Sequence, residues 1–411
     1  MKTKYQTSGI LLALIAYASI TNAQTRLPLD SVIARLSGNP SLQVFDSRAS
    51  AQHAYAAGAK SMDAPKLSAG QYQTPYQLNP NTGSFMIQAE QMFTNPAKLK
   101  AKEAYMQGLS KVTNEDKNYL KNQLVAQAKQ GYYERLVLEK KLAQLQNTKS
   151  LLDYMLKDAN IRLTYGKENL SNIYKAKAEL FELENNREQL ANEIIQRNIM
   201  LNTLMNRNKL TAFEIDTTYV IKDYEAAVTD TGYLADKRSD IKSICRNIEL
   251  QRLSAGMEYS KRKPDFGIQA GHMFSYGNMP NQYILMASVT IPIAPWASKE
   301  YQANRKGIQF EVEELRQKKA DIINQAEGQL AGLKSNIAST KKQLLNYQHN
   351  IIPALQNSYK TALLAYDQNT GDLLSVLTSI RDLQAARITY LDSLQLLLNL
   401  QVAYERENES N

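Results

Sequence analysis

The residues able to ligate a transition metal or attack an electrophile are few: His53, His272, His349 and the single cysteine, Cys245. Two imidazoles that share a zinc ion usually sit one helical turn apart, in an HxxxH or HExxH spacing, because both rings then reach one point. The three histidines lie far apart in the chain, and no such pair exists. There is no strand-to-helix nucleophile turn and no phosphate-cradling loop of the P-loop type. A lone cysteine excludes an internal disulfide, a CxxC redox pair and a multi-cysteine metal site. Within the helical pattern Ser243–Leu253, Cys245 is expected to be a small buried apolar side chain. Met273, Met279 and Met286 fall close together, and thioethers favour copper(I), but such residues more often pack against their neighbours or lipid. The expectation is a protein that is not an enzyme and needs no cofactor or metal.

Charge and the first residues narrow the setting. Met1-Lys2-Thr3-Lys4, an apolar run from Ile10 to Ile20 and the small-residue site Thr21-Asn22-Ala23 read as a secretory signal peptide over residues 1–23. The run is too short to cross a bilayer. Lipoprotein export needs a cysteine at the cleavage point, so no N-terminal lipid anchor is expected. The formal charge of +9 falls to +7 once Lys2 and Lys4 leave. The remaining basic residues alternate with acids along helices, which reads as a solvated face and not as a nucleic-acid patch. Past residue 23 no apolar run reaches the roughly 18 residues of a membrane helix. An exported chain of this kind is either soluble or crosses an outer membrane as a closed β-barrel.

Most of the chain is helical in pattern. From Pro96 onward, Leu138, Leu142, Leu145, Leu152 and Leu156 mark one long helix, and Leu170, Ile173, Leu180, Leu183, Leu190, Ile194 and Leu201 mark a second. Thr164 to Asn169 breaks them. In the second half Ile308 to Ile351 marks a third stripe and Leu373 to Leu398 a fourth, with the break at Tyr366 to Gly371. A shift of 203 residues pairs Gly166 with Asn369, Leu170 with Leu373, Ile173 with Val376 and Leu180 with Leu383, so the chain contains an internal repeat. Each half then holds a helical hairpin with arms of roughly 90 Å at 1.5 Å per residue. Apolar stripes of that length must be buried against other helices. They are sparse and separated by Gln, Asn and Lys, which suits the wall of a tube wetted on one side.

Ahead of each hairpin the period changes from helical to two. Phe266, Ile268, Ala270 and Phe274 share one face of a strand, and Tyr283, Leu285, Ala287, Val289 and Ile291 share one face of the next, with Gly277 to Asn281 as the turn. The first half has the matching pair: Leu67 to Tyr76, the turn Asn79 to Gly83, then Phe85, Ile87, Ala89 and Phe93 on one face. Strands of about ten residues, apolar on one side and polar on the other with aromatic ends, are of membrane-barrel type. Four cannot close a barrel, and open edges are not tolerated in lipid. Several copies must pool their strands, and three would give a twelve-stranded barrel with a lumen.

The organisation resembles the TolC family of outer-membrane efflux proteins over essentially the whole mature chain. Leu29 to Ala34 with Asn39-Pro40-Ser41-Leu42 is similar to the family's opening segment. Arg162 to Gly166 running into Leu170 to Ile173 resembles the first hairpin tip, and Tyr366 to Leu377 the second. Arg238-Ser239-Asp240-Ile241 resembles the start of the second repeat, with Ser239 where proline is usual. Lys263-Pro264-Asp265-Phe266 and Val289-Thr290-Ile291-Pro292-Ile293 resemble the entry to the third strand and the exit from the fourth. Compact length and the lack of an acylation site look somewhat like the CzcC-like heavy-metal branch.

The resemblance implies an α+β membrane protein: a homotrimer with a twelve-stranded barrel in the outer membrane of a Gram-negative bacterium and long helical hairpins forming a periplasmic tunnel. It implies a passive exit duct of a tripartite efflux pump or type I secretion system, working with a periplasmic adaptor (membrane fusion protein) and an inner-membrane pump. Its segments are a first repeat over 24–205 (an N-terminal helix, strands about 66–76 and 84–94, hairpin about 96–205) and an equatorial segment over 206–234. A second repeat covers 235–405 (strands about 264–276 and 282–293, hairpin about 297–405), and a tail covers 406–411. Adaptor docking falls by resemblance on Arg162, Leu163, Gly166, Leu170 and Ser171 of the first tip and on Tyr366, Asn369, Gly371 and Leu373 of the second. The acidic rings that narrow the tunnel in known members would fall at Ser375 and Thr378, which are not acids; Asp372 is the nearest carboxylate, either a gate or a cap of the fourth helix. Phe85, Ile87, Phe93, Phe266, Ile268, Phe274, Tyr283, Leu285, Val289 and Ile291 would face lipid. Two other readings share the signal peptide and long helices: a periplasmic coiled-coil adaptor, which should show one hairpin and not two, and a surface scaffold, which leaves the strands unexplained.

Overall fold

A computed structural model describes residues 26–77, 81–224 and 231–410. The expected signal peptide and part of the first strand turn lie outside these residues. In chain order the elements are β1 (Arg26–Leu27), α1 (Leu29–Arg35), a 3-10 turn (Leu36–Gly38), α2 (Pro40–Gly58), β2 (Lys66–Tyr72), β3 (Ser84–Phe93), α3 (Pro96–Thr164) and α4 (Leu170–Leu204). There follow β4 (Glu214–Ile215), α5 (Thr231–Lys237), α6 (Ser239–Ser260), β5 (Phe266–Ser275), β6 (Gln282–Val289), α7 (Pro295–Asn346), a π-helical turn (Tyr347–Ile351), α8 (Ile352–Asp367) and α9 (Leu373–Asn408). The chain forms two compact units. One comprises Ser41–Leu120 with Thr229–Gly328, the other Met1–Pro40, Lys121–Val228 and Gln329–Asn411.

The first unit holds one four-stranded sheet in the order β2-β3-β5-β6, antiparallel throughout. Its register sets Phe85 opposite Phe274, Ile87 opposite His272, Phe93 opposite Phe266, and Ala270 opposite Leu285. Because side chains alternate, the apolar residues of three strands gather on one face. β2 stops at Tyr72, short of the expected Tyr76, since Gln73 takes a left-handed φ of 54° and Pro75 has no N–H to pair. β6 stops at Val289, so Ile291 lies just past the strand, ahead of Pro292. Asp265 fastens the strand ends: its Oδ1 accepts from the Asn95 N–H at 2.8 Å, its Oδ2 meets Lys98 Nζ at 2.5 Å, and its carbonyl accepts from the Thr290 N–H at 2.9 Å.

Cys245 is exposed, contrary to the sequence expectation. Helix α6 buries Ile241, Ile244 and Leu250, and Cys245, one position past Ile244 and about 100° round the helix, falls off that stripe. Gly108 lies inside α3, where its missing side chain lets α6 pack close. A Cβ there would stand 3.0 Å from the Cδ1 atoms of Leu250 and Leu253 of α6. Gly108→Val should therefore lower the detergent-solubilised protein's stability by about 1–3 kcal/mol through overpacking. Gly256→Ala, on α6 with nothing near its Cβ, should instead raise stability by about 0.4–1 kcal/mol. Melting temperatures of the two variants check the contrast, and equal shifts would refute the close-approach account.

In the second unit the long helices pack around one core. Leu145, Leu152, Met155 and Ala159 of α3, Ile173, Ala176 and Leu183 of α4, Tyr366 of α8 and Leu373, Val376, Leu377 and Ile380 of α9 are its buried members. These are largely the residues of the sparse stripes, now shared between two hairpins. The third expected helix is interrupted: Pro353 supplies no N–H to the preceding turn, and the backbone widens into the π turn at Tyr347–Ile351 before α8.

Residues 206–224 of the segment expected to be equatorial are pinned to the same unit. β1 and β4 pair in parallel, Arg26 with Glu214 and Leu27 with Ile215. The buried Tyr132 hydroxyl accepts from the Asp216 N–H at 2.8 Å and donates to the Leu27 carbonyl at 3.2 Å. Near the end of α9, which runs through half of the expected tail, Glu405 is 5% exposed. It meets Lys129 Nζ at 2.7 Å, Lys222 Nζ, and the Tyr224 hydroxyl at 2.8 Å. Burial opposes ionisation of Glu405, but the two lysines and the tyrosine prevail and hold its carboxyl below the usual range.

Candidate functional site

Two surfaces carry the expected functional residues: the paired hairpin tips and the apolar face of the sheet. The tips are built alike. Helix α3 ends at Thr164 and α8 at Asp367, with a left-handed residue two positions on in each case, Gly166 (φ 67°) and Asn369 (φ 58°). The Lys167 N–H then reaches back to the Arg162 carbonyl at 3.0 Å, and the Thr370 N–H to the Ala365 carbonyl at 2.8 Å. A side-chain cap opens the next helix in both: Asn169 Oδ1 accepts from the Ser171 N–H at 2.9 Å, and Asp372 Oδ1 from the Ser375 N–H at 3.0 Å. The helix ends, left-handed residues, reach-back bonds and capping side chains keep the sequence offset of 203 residues, and only the capped N–H groups, Ser171 and Ser375, are one residue further apart. Gly371 does not use a left-handed backbone; its lack of a side chain matters because a Cβ would lie 3.0 Å from that of Ala365.

Arg162 joins the tips. Its Nε donates to Asp158 at 2.7 Å on its own helix, and its Nη1 donates to the Tyr366 carbonyl and to Asn369 Oδ1, both at 3.0 Å. Its Nη2 lies 3.5 Å from Asp367, and its guanidinium carbon stands 4.1 Å from the centre of the Tyr366 ring. Of the residues assigned to docking, Arg162, Tyr366 and Asn369 are thus brought together as a clasp. Tyr366 and Leu373 are buried, at 2% and 0% exposure, and belong to the core and not to a docking surface. Burial, with Glu168 nearby, pushes the Tyr366 hydroxyl pKa up.

Gly166, Leu170, Ser171, Asn369 and Gly371 are exposed, while Leu163 is half-buried. Sequence reasoning missed the apolar residues beside them. Tyr165 is 75% exposed at the first turn, and Ile161, Tyr174, Leu364 and Leu374 are exposed on the helix ends that flank the two turns. The available signal was an aromatic residue inside a break where no packing requires one. Asp372 is an N-cap, and its bonds from Ser375 hold its carboxyl below the ordinary aspartate value. Ser375 and Thr378 lie on the exposed side of α9, opposite Val376, Leu377 and Ile380.

All ten residues expected to face lipid are exposed: Phe85, Ile87, Phe93, Phe266, Ile268, Phe274, Tyr283, Leu285, Val289 and Ile291. Pairing puts those within strands on one face. His272 shares it, with its ring 4.5 Å from that of Phe274 at the end bearing Phe85 and Tyr283. The other face carries Gln88, Glu90, Gln269 and Ser288 together with Met86, Met273 and Met286. Met273 and Met286 therefore point away from the apolar face, and Met279 lies in the turn. Among the described residues no group of three or more His, Cys, Asp or Glu side chains could hold a metal ion, and no helix is long and apolar enough to cross a membrane.

No protein-family model matches the chain, and no curated protein matches it. Solved structures do. The chain is similar to CusC, described for conformational changes accompanying folding and transmembrane channel formation, at 17% identity and a TM-score of 0.75, covering 92% of this chain and 91% of that one. It is similar to the outer-membrane protein VceC of Vibrio cholerae at 14% identity and a TM-score of 0.73, covering 92% and 95%. The open state of the MtrE outer-membrane channel of Neisseria gonorrhoeae matches at 13% identity and a TM-score of 0.73, covering 92% and 88%. With its strand pairs each followed by a long helical hairpin, the chain has the α+β fold of these outer-membrane channels, the fold implied by its resemblance to the TolC family.

Proposed function

We propose that this protein is the outer-membrane exit duct of a tripartite efflux or secretion system, a passive conduit with no chemistry of its own. The observation that carries the reading is the sheet. Among the described residues its outer strands β2 and β6 are each paired on one side only, and one face is mainly apolar, with its aromatic and large aliphatic side chains exposed. Such a sheet survives in hydrocarbon only if its edges are closed by further strands. Three copies supply twelve strands, with Gln88, Glu90 and Gln269 facing a wet lumen and Phe85, Leu285 and Val289 facing lipid. The likeness in fold to channels over nine-tenths of the chain supports the same reading. Membrane fractionation tests it: the mature protein should sediment with the outer membrane and run as a trimer band that heating converts to monomer. A soluble monomer would end the proposal.

In this reading the clasped tips dock a periplasmic adaptor through Leu170, Ser171, Gly166, Asn369 and Gly371, with Tyr165 as the aromatic anchor. Asp372, Ser375 and Thr378 lie at the mouth of the tunnel. Exposed aromatics at the centre of an interface commonly dominate its energy. Tyr165→Ala should weaken adaptor association about tenfold, or ~1.4 kcal/mol, without changing the trimer band. Co-purification of adaptor with tagged protein at graded expression measures it, and undiminished capture would remove Tyr165 from the interface.

A further inference from the structure

Where β5 and α7 begin, two arginines converge on one tyrosine. The guanidinium carbon of Arg262 lies 3.8 Å from the ring centre of Tyr259, and that of Arg305 4.5 Å from it. Neither arginine forms an ion pair among the described residues, although carboxylates are present nearby. Asp265 is taken by Lys98 at 2.5 Å, and Glu258 by Lys261 at 2.8 Å and Asn304 at 3.0 Å. Both cations are half-buried and Tyr259 is partly exposed.

A guanidinium stacked through its face keeps its N–H edge free for an oxyanion. Both guanidinium carbons lie within 4.5 Å of one ring centre, so the two charges are at most about 8 Å apart and offer their donors to the same lipid headgroup. Without an anion the like charges repel.

The position of the pair names the source of the phosphate. Arg262 precedes Phe266, the first apolar exposed residue of β5, by four positions. Phe93, Ile291, Ile293 and Trp296, the last 81% exposed, crowd the same end of the strands. An aromatic rim of this kind marks the boundary of a membrane barrel, and the headgroup layer beyond it is roughly 5–7 Å thick. Arginines that close to the rim meet headgroup phosphates.

We propose that Arg262, Tyr259 and Arg305 form a clamp for the phosphate of an anionic phospholipid in the periplasmic leaflet; the inference rests on the membrane reading of the sheet. Trp296 is the only tryptophan of the chain and reports on this end of the sheet. In phosphatidylcholine vesicles holding the full-length protein, brominated phosphatidylglycerol should quench Trp296 with an association constant about fivefold above that of brominated phosphatidylcholine, on the scale expected for a basic residue at a membrane surface.

Arg262→Gln with Arg305→Gln should bring the ratio to about one while the heat-modifiable trimer persists, and Arg262→Lys with Arg305→Lys should keep only part of it. Equal quenching by the two lipids in the unaltered protein, or a preference that survives the glutamine pair, overturns the clamp and leaves the duct reading intact. Loss of the preference in excess inorganic phosphate at constant ionic strength also overturns it, because a soluble anion would then be the occupant. Quenching by neither lipid would sink the membrane reading and the clamp with it.

Discussion

Replacing Arg162 with alanine should raise amide exchange across residues 161–170 and 364–373 about 100-fold, while the helix interiors around Leu152 and Ile380 keep their protection. Arg162 links the two tips by two hydrogen bonds, an ion pair and a ring contact. Hydrogen bonds to a charged group are worth about 1.5–3 kcal/mol each. The Arg162 side chain is only 18% exposed, so water replaces these bonds poorly. A net loss near 3 kcal/mol corresponds to the 100-fold rise, since each 1.4 kcal/mol is a factor of ten. Arg162→Lys keeps the charge but loses the planar fork and the stack on Tyr366, and should fall between the two. Exchange read by mass spectrometry decides: unchanged rates at both tips in the alanine variant would show that the clasp holds nothing.

Glu405→Ala should have the largest effect on global stability, about 3–5 kcal/mol at neutral pH, because it removes the carboxylate of a buried ion pair with Lys129. The pH dependence follows from the sign of the shift. The Glu405 carboxyl ionises more readily in the folded protein than its ordinary value of 4.5. Its contribution is therefore full above about pH 4.5 and is lost as pH falls through the lower, folded value. The gap in melting temperature between the unaltered protein and Glu405→Gln should be widest from pH 5.5 to 7 and should close in stronger acid. A gap that widens on acidification would contradict the ion-pair account. The same replacement should loosen residues 214–224, which Lys222 and Tyr224 tie to the terminal helix.

Periodicity made most of this architecture legible. Period-two alternation in Phe266–Phe274 and Tyr283–Val289 placed the strands and their apolar face, because sheet pleating leaves no other arrangement for those side chains. The offset of 203 residues located both tips, and the left-handed Gly166 and Asn369 sit at corresponding points of it. Long-range partnerships were not legible. Nothing local to Arg162 says that its guanidinium reaches Asn369, and nothing local to Glu405 says that Lys129 and Lys222 converge on it. Tyr366 and Leu373 were read as surface because they flank a turn, whereas the clasp folds them inward. Cys245 was read as buried from its residue type, and its place on the helix decided otherwise.

The central claim is that copies of this chain pool their sheets into one closed, water-filled cylinder. Purified protein reconstituted in a planar bilayer tests it most directly, by current recorded while the trimer band is followed on the same sample. The account predicts discrete conductance steps carried only by the trimer and abolished when heating converts it to monomer. A trimer that inserts yet passes no ions under any applied voltage, or steps produced by the monomer, would contradict it.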